Sequence, residues 1–148
     1  AGDPSGRCHC SPEQITRYRS RISGPLLDRI DIQIEVARQP TTALANHAAS
    51  GEASAPMRQR VIAARDRQLQ RAGKPNALLG TREMTRDCAL RSADQSLLER
   101  AIDKLNLSAR AYHRILRLAR TIADLAGADA IDSQHLTEAI GYRRMERA

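Results

Sequence analysis

The chain has 148 residues with 24 basic and 17 acidic side chains, giving a formal net charge of +7, and nearly all of its basic residues are arginine. Apolar residues make up 41% of the sequence but aromatic residues only 2%, so a core must be built from aliphatic side chains, which favours packed helices. The length allows one core, or part of one domain followed by a small second one. The sequence has no long apolar run and no signal-peptide pattern, and its three cysteines are too sparse for a disulfide framework. We therefore expect a cytoplasmic protein without a membrane span.

The first predicted element is a short basic helix. Ser11 is placed to cap it, Pro12 suits its first position, and Gln14 can complete a capping box with Ser11. We therefore expect a helix from Pro12 to about Ser20.

A strand and a linker are predicted next. After a break over residues 23–25, apolar and polar side chains alternate over residues 30–36, and this period of two predicts a half-buried strand. The composition then changes to small and polar residues without periodicity, which predicts a linker or loop. We therefore divide the chain into residues 1–36, a linker over residues 37–54, and a helical domain over residues 55–148.

The helical domain is predicted from capping residues and apolar spacing. The residues expected to begin or end its helices are, in chain order, Ser54, Gly73, Ser108, Gly127 and Ser133. Residues 93–105 carry a further helical pattern. The helix after Ser108 has the clearest stripe, with apolar residues three and four apart at Tyr112, Ile115, Leu116, Ala119, Ile122, Ala123 and Ala126.

Four segments resemble magnesium-chelatase-like AAA+ ATPases. Residues 21–31 (RISGPLLDRID) resemble the segment that closes the ATPase core, residues 108–125 (SARAYHRILRLARTIADL) resemble the lid helix, and residues 131–143 resemble the last lid helix. Residues 8–15 (CHCSPEQI) are similar to a loop in the branch of that family named after the competence protein ComM. The resemblance implies a mainly α fold, a helical-bundle lid preceded by a short remnant of the α/β ATPase core with one strand.

For function, the resemblance implies part of a ring-forming AAA+ ATPase that uses ATP and Mg²⁺ and couples hydrolysis to DNA remodelling or branch migration. The implied partners are neighbouring subunits of a homo-oligomeric ring, a hexamer in the parent protein, together with DNA. No Gly-x-x-x-x-Gly-Lys-Ser/Thr pattern occurs in this sequence, so we expect no ATP hydrolysis by the chain alone. Two alternatives are an ATPase subunit of magnesium chelatase and a non-enzymatic basic helical module that binds DNA or protein.

Arg29 is the residue that the resemblance identifies as an arginine finger acting in trans. An arginine on a short turn, supported by Leu26 and Leu27 and by the following strand, would meet the γ-phosphate of a neighbouring subunit at a fixed reach. The alternative is an ordinary ion pair with Asp28 or Asp31.

Arg110 matches the family's second sensor, an arginine of the lid helix that contacts nucleotide phosphates. On a helix, Arg110, Arg114 and Arg117 share a face opposite the apolar stripe, so packing of the stripe should turn them outward. The alternative for Arg110 is a solvated basic face, and this is the interpretation that we adopt for Arg114 and Arg117.

Cys8 and Cys10 form a candidate partial zinc site, because thiolates are soft ligands that suit zinc. A zinc site needs about four ligands, and this sequence has no second pair at a suitable spacing. The resembled branch carries another cysteine pair just upstream, which would complete such a site in the parent. The alternative is two reduced thiols in a loop, whereas Cys88 is predicted to be a small buried apolar residue.

Arginines flank the apolar stripe of the helix predicted to begin at Ser54. Arg60, Arg67 and Arg71 are candidate contacts to nucleic acid, because phosphate binding needs only accessible cations. No aromatic side chain accompanies them as a platform for base stacking. The alternative is again a solvated charged face.

Overall fold

The computed structural model describes residues 9–27, 29–36, 51–105 and 107–143. These residues are mainly helical, as predicted. Across the described residues, no helix combines the length and the apolar character that crossing a bilayer requires.

The first described block contains helix α1 (Pro12–Arg19) and the single-turn helix α2 (Gly24–Leu27). The predicted capping box is present. The Ser11 amide donates to the Gln14 side-chain oxygen at 2.9 Å, and the Gln14 amide donates to Ser11 Oγ at 3.3 Å. No residue of α1 is buried, so this helix is held by its own local bonds.

The strand predicted over residues 30–36 is wrong within the described part of the chain. These residues run without regular secondary structure and make no ladder with another strand. Their apolar row remains exposed, with Ile32 at 50% and Ile34 at 64% of full accessibility. The period of two is real, but a strand needs a neighbour to bond its backbone, and no neighbouring strand is described here.

The helical domain begins with α3 (Ser54–Ala72). Its end at Gly73 is confirmed, because Gly73 adopts φ +66°, which other residues rarely adopt, and its amide donates to the Leu69 carbonyl at 2.8 Å. Its start at Ser54 is confirmed as well, although the capping position before it is occupied by Ala53, whose side chain cannot cap the helix.

Two short elements follow α3 that the sequence pattern does not predict. They are a 3-10 helix (Asn76–Leu78) and helix α4 (Thr81–Asp87). Both are too short for an apolar period to stand out. Helix α5 (Ser92–Leu105) begins one residue before the predicted start.

The last two helices are α6 (Ala109–Leu125) and α7 (Ser133–Gly141). Ser108 caps α6 as predicted, with its Oγ accepting from the Ala111 amide at 3.3 Å. The cap predicted at Ser133 is wrong. Asp132 caps α7, because its carboxylate accepts from the amides of Gln134 at 2.9 Å and His135 at 3.1 Å.

Helix α6 is the centre of the bundle and packs mainly against α7 and α3. Four residues of the stripe predicted for α6 are buried. Cys88, which follows α4, is also buried as predicted, and burial raises the pKa of its thiol to about 11. The buried core comprises Leu79, Met84, Cys88, Leu98, Ile115, Leu116, Ala119, Ala123, Ile131, Leu136 and Ala139.

A buried carboxylate, Asp124, joins α3 to α6. The Arg71 guanidinium bonds both of its oxygens, at 2.7 and 2.8 Å, and the side-chain amide of Asn76 donates to one of them at 2.8 Å. Arg120, which is 1% exposed, lies 3.1 Å from the other oxygen. Arg120 also donates to the carbonyl of Ala128 at 2.6 Å, so the network reaches the loop after α6.

The pKa of Asp124 is lowered by this network. Burial by itself would raise the pKa, but hydrogen bonds from Arg71 and Asn76 and the charge of Arg120 outweigh burial. A carboxyl whose folded pKa lies below its ordinary value of 3.8 stabilises the fold at neutral pH. That stability is lost as the pH falls through the folded pKa.

We expect Asp124→Asn to destabilise the chain by about 3–5 kcal/mol at pH 7, because two guanidinium groups lose their buried counter-charge. Wild type should lose stability progressively below about pH 4, and the variant should lose less over the same range. Urea denaturation followed by circular dichroism across pH measures both effects. As a control, Glu52→Gln breaks only the exposed pair with Arg60 and should leave the midpoint at pH 7 unchanged. Equal midpoints for wild type and Asp124→Asn would contradict this role of the network.

Candidate functional site

Arg29 lies on the turn that follows α2, and its side chain is exposed. Its amide donates to the Leu26 carbonyl at 3.0 Å, which closes the turn. Among the described residues no acid pairs with its guanidinium; Asp31 is bonded elsewhere, and Asp28 lies outside the described residues. Of the support expected from Leu26, Leu27 and a strand, Leu27 is half-buried, but Leu26 is 50% exposed and no strand is found among the described residues that follow.

Arg114 of α6 supports the Arg29 turn. One nitrogen of its guanidinium, Nη1, donates to the backbone carbonyl of Arg29 at 2.8 Å and to Asp31 Oδ1 at 2.6 Å. The interpretation of Arg114 as a solvated cation is therefore wrong, and so is that of Arg117, which donates to the Leu79 carbonyl at 2.8 Å. The sequence stripe places both residues on the polar face of α6 but does not show what that face contacts.

Two further contacts join this part of the chain to the residues after α7. Arg143 Nη2 lies 3.4 Å from Asp31 Oδ1, and the Gln33 amide donates to the Tyr142 carbonyl at 3.1 Å. Residues 29–33, which we call the Arg29 segment, are thus attached to both α6 and the end of α7. Long-range partners of this kind leave no local sequence pattern.

A cavity of about 330 Å³ lies between the Arg29 segment and α6. Its lining includes Asp31, Ile32, Ala77, Arg114 and Thr121. Because this space is not filled by apolar side chains and Ile32 remains half exposed, the segment is positioned mainly by polar bonds.

Arg110 is exposed in the first turn of α6, and no ion pair is described for it. That turn contains no acidic residue. The amino end of a helix carries partial positive charge, so a cation there creates a local preference for an anion. Arg110 precedes Arg114 by one helical turn, about 6 Å along the axis, so both point from the same face of α6.

The described residues do not form a complete nucleotide site. Two exposed guanidinium groups suit phosphate oxygens, but the sequence has no phosphate-binding loop to hold ATP. No group of three or more His, Cys, Asp or Glu residues gathers anywhere in the described ranges, so these residues offer no cluster for Mg²⁺. Within the described residues, Arg29 and Arg110 are therefore two exposed cations without the remaining parts of a nucleotide site.

The candidate zinc site gains no support from the structure. Cys8 lies outside the described residues, and Cys10 is exposed just before α1. The described part of the chain places no set of potential metal ligands around Cys10.

The three candidate nucleic-acid contacts of α3 all pair with acids of this chain. Arg60 bonds Glu52 through both terminal nitrogens and lowers the pKa of that carboxyl, and Arg67 lies 2.5 Å from Asp129. Arg71 belongs to the buried Asp124 network described above. Two other arginines of α3 are exposed with no described ion pair, namely Arg58 and Arg65.

Comparison with known families matches nearly the whole chain. Residues 51–143 match the family model described as the C-terminal part of magnesium chelatase subunit ChlI. Residues 1–44 match the model described as magnesium chelatase subunit ChlI.

Similar proteins occur in several bacteria. The chain is 53% identical to competence protein ComM of Haemophilus influenzae over 137 residues, 93% of this chain and 27% of that protein. It is 48% identical to the YifB protein of Salmonella typhimurium over 93% of this chain and 27% of that protein. It is 34% identical to the Mb2921c protein of Mycobacterium bovis over 93% of this chain and 28% of that protein. The chain thus spans about a quarter of the length of these relatives, and on the match over residues 51–143 it belongs to the magnesium-chelatase-like AAA+ family.

Proposed function

We propose that this chain forms part of a ring-shaped AAA+ ATPase and supplies two phosphate-contacting arginines. Arg29 acts in trans as the arginine finger on ATP held by a neighbouring subunit, and Arg110 contacts the nucleotide held by its own subunit. The observation that carries this proposal is the Arg114 contact, which fixes the backbone of Arg29 while its guanidinium stays exposed.

The absence of a described acid beside Arg29 supports a role in trans. A finger must meet negative charge that develops on the γ-phosphate, and a cation already paired with a carboxylate would first have to break that pair. Asp31, the nearest described acid in sequence, instead bonds Arg114 and approaches Arg143.

The surroundings of Arg110 support a phosphate contact in cis. The first turn of α6 carries no acid that would neutralise Arg110, and the helix end itself favours an anion. ATP with Mg²⁺ supplies the reactive phosphoryl group. This chain contributes the cations that orient it and stabilise its charge, and the phosphate-binding loop comes from another part of the protein.

For the output of the motor we propose remodelling or branch migration of DNA during natural transformation. The support is the 53% identity to a protein named for competence. The main alternative is an ATPase subunit of magnesium chelatase, which the family name suggests. A non-enzymatic basic helical module is the alternative from a different class.

A chimera in which this chain replaces the matching 137 residues of the Haemophilus relative tests the two arginines. We expect Arg29→Ala to lower kcat for ATP by about 10³-fold with little change in KM, because a finger acts on the transition state. We expect Arg110→Ala to raise KM about tenfold through the lost charged hydrogen bond. Steady-state phosphate release measures both.

The control for this experiment is Arg82→Ala, an exposed arginine of α4 with no described ion pair, which should behave as wild type. When subunits carrying Arg29→Ala are mixed with unaltered subunits, each altered subunit should inactivate the ATP site of its neighbour. The ATP turnover of the mixture should therefore fall in proportion to the fraction of altered subunits. If both variants keep normal turnover, the proposed function is wrong.

A DNA contact is proposed on the face of α3 that carries Arg58 and Arg65. These residues are seven positions apart, so they share a face about 10 Å long, while Arg60 and Arg67 share another flank. Exposed ion pairs are weak, so Arg60 and Arg67 could exchange their acids for phosphates, but Arg71 would have to leave a buried carboxylate.

We expect binding of the chain to double-stranded DNA to weaken with salt, and the Arg58→Ala, Arg65→Ala double variant to reduce the log–log slope by about 2. Fluorescence anisotropy across a salt series measures this slope. The matched control is Arg60→Ala with Arg67→Ala, which should reduce the slope by less. If the control pair has the larger effect, the DNA contact lies on the flank with Arg60 and Arg67, as predicted from the sequence. If binding does not depend on salt at all, a phosphate contact on α3 is excluded.

A further inference from the structure

Within the described residues, the Arg29 segment is attached to the bundle mainly by three polar contacts, made by Arg114, Arg143 and Gln33. Its apolar side chains are not buried, with Ile30 at 41% and Ile32 at 50% of full accessibility, and a cavity lies beneath it. Apolar packing therefore contributes little to its position, and the hydrogen bonds from α6 and from the end of α7 determine where it lies.

Of the contacts described here, the one from Arg114 reaches the backbone of Arg29 itself. Arg114 Nη1 carries two hydrogens and meets two acceptors, the Arg29 carbonyl at 2.8 Å and Asp31 Oδ1 at 2.6 Å. The contact of Arg143 with Asp31 is longer, at 3.4 Å, and the Gln33 amide bond is four residues further along the chain. A displacement of Arg114 would therefore directly displace the backbone from which the Arg29 side chain extends.

We propose that Arg114 is a positioning residue that sets the reach of Arg29 and links it to helix α6. This inference rests on the proposed role of Arg29 as an arginine finger. Arg110 lies one turn away on the same rigid helix, so a movement of α6 that accompanies a phosphate contact at Arg110 is passed to Arg29 through Arg114. Helix α6 thereby links the nucleotide site contacted by Arg110 in its own subunit to the nucleotide site contacted by Arg29 in the neighbouring subunit.

The first test uses the 148-residue chain and does not depend on catalysis. Hydrogen exchange at the amides of Ile30 and Gln33 is compared in wild type, Arg114→Ala and Arg114→Lys. We expect these amides to exchange about tenfold faster in Arg114→Ala, as the loss of a charged hydrogen bond implies, with the core amides of α6 unchanged. Lysine should recover part of the protection, because it keeps the charge but not the planar guanidinium.

Arg117→Ala is the matched structural control. Arg117 lies on the same helix and bonds the Leu79 carbonyl, and no bond from it to the Arg29 segment is described. We expect this variant to leave exchange in the Arg29 segment at the wild-type rate. Equal effects of Arg114→Ala and Arg117→Ala would show a general weakening of α6 and would overturn the positioning role.

The second test measures ATP turnover in the chimera described above. Misplacement of a catalytic group by about 1 Å costs up to about 100-fold, so we expect Arg114→Ala to lower kcat by about 10- to 100-fold with KM within about twofold. Arg114→Lys should recover part of kcat, and Arg117→Ala should stay near wild type. In mixed rings the Arg114→Ala subunit should disable its neighbour's site, as Arg29→Ala does.

The outcomes separate this inference from the function on which it rests. If Arg29→Ala abolishes turnover while Arg114→Ala matches wild type, Arg29 remains the finger and the positioning role is wrong. If Arg114→Ala raises KM and leaves kcat unchanged, the residue acts on nucleotide binding and the positioning role is again wrong. If Arg29→Ala keeps full turnover, the proposed function fails and the role of Arg114 fails with it.

Discussion

The buried carboxylate of Asp124 determines how the helical domain is assembled. It receives bonds from Arg71 of α3 and from Asn76 of the 3-10 helix, and it lies beside Arg120 on its own helix. Three elements must be correctly placed for this charge to be neutralised, and a buried charge without partners is strongly unfavourable. The orientation of α6 within the bundle depends on this group together with the buried apolar stripe of the helix, and the direction in which Arg110 and Arg114 point depends on that orientation.

Helix α6 contributes both to stability and to the proposed function, because one of its faces packs in the core and the other carries the arginines. The stripe that includes Ile115 and Ala119 is buried in the core and fixes the helix in the bundle. Arg110 and Arg114 project from the opposite face, one exposed and one bonded to the Arg29 segment. A rigid helix is suited to such a link because its hydrogen-bonded turns transmit displacement with little distortion.

Features fixed by near neighbours were predictable from the sequence. The capping box of α1, the glycine end of α3 and the cap of α6 depend on residues within four positions of one another. The strand prediction failed for the complementary reason, since residues 30–36 have the right alternation but pairing requires a partner that the described chain does not supply. Ser133 and Asp132 are both good caps, and only the backbone geometry decides that Asp132 is the one used.

The sequence by itself determined the helical character of the chain, the amphipathic pattern of α6 and the exposure of Arg110, because these follow from local propensity and helical spacing. Only the tertiary structure decided that Arg114 bonds the backbone of Arg29, 85 residues away, and that Arg71 pairs with Asp124, 53 residues away. The physical reason is that every arginine carries the same charge and donors, so its partner is chosen by packing of distant segments and not by its neighbours in sequence.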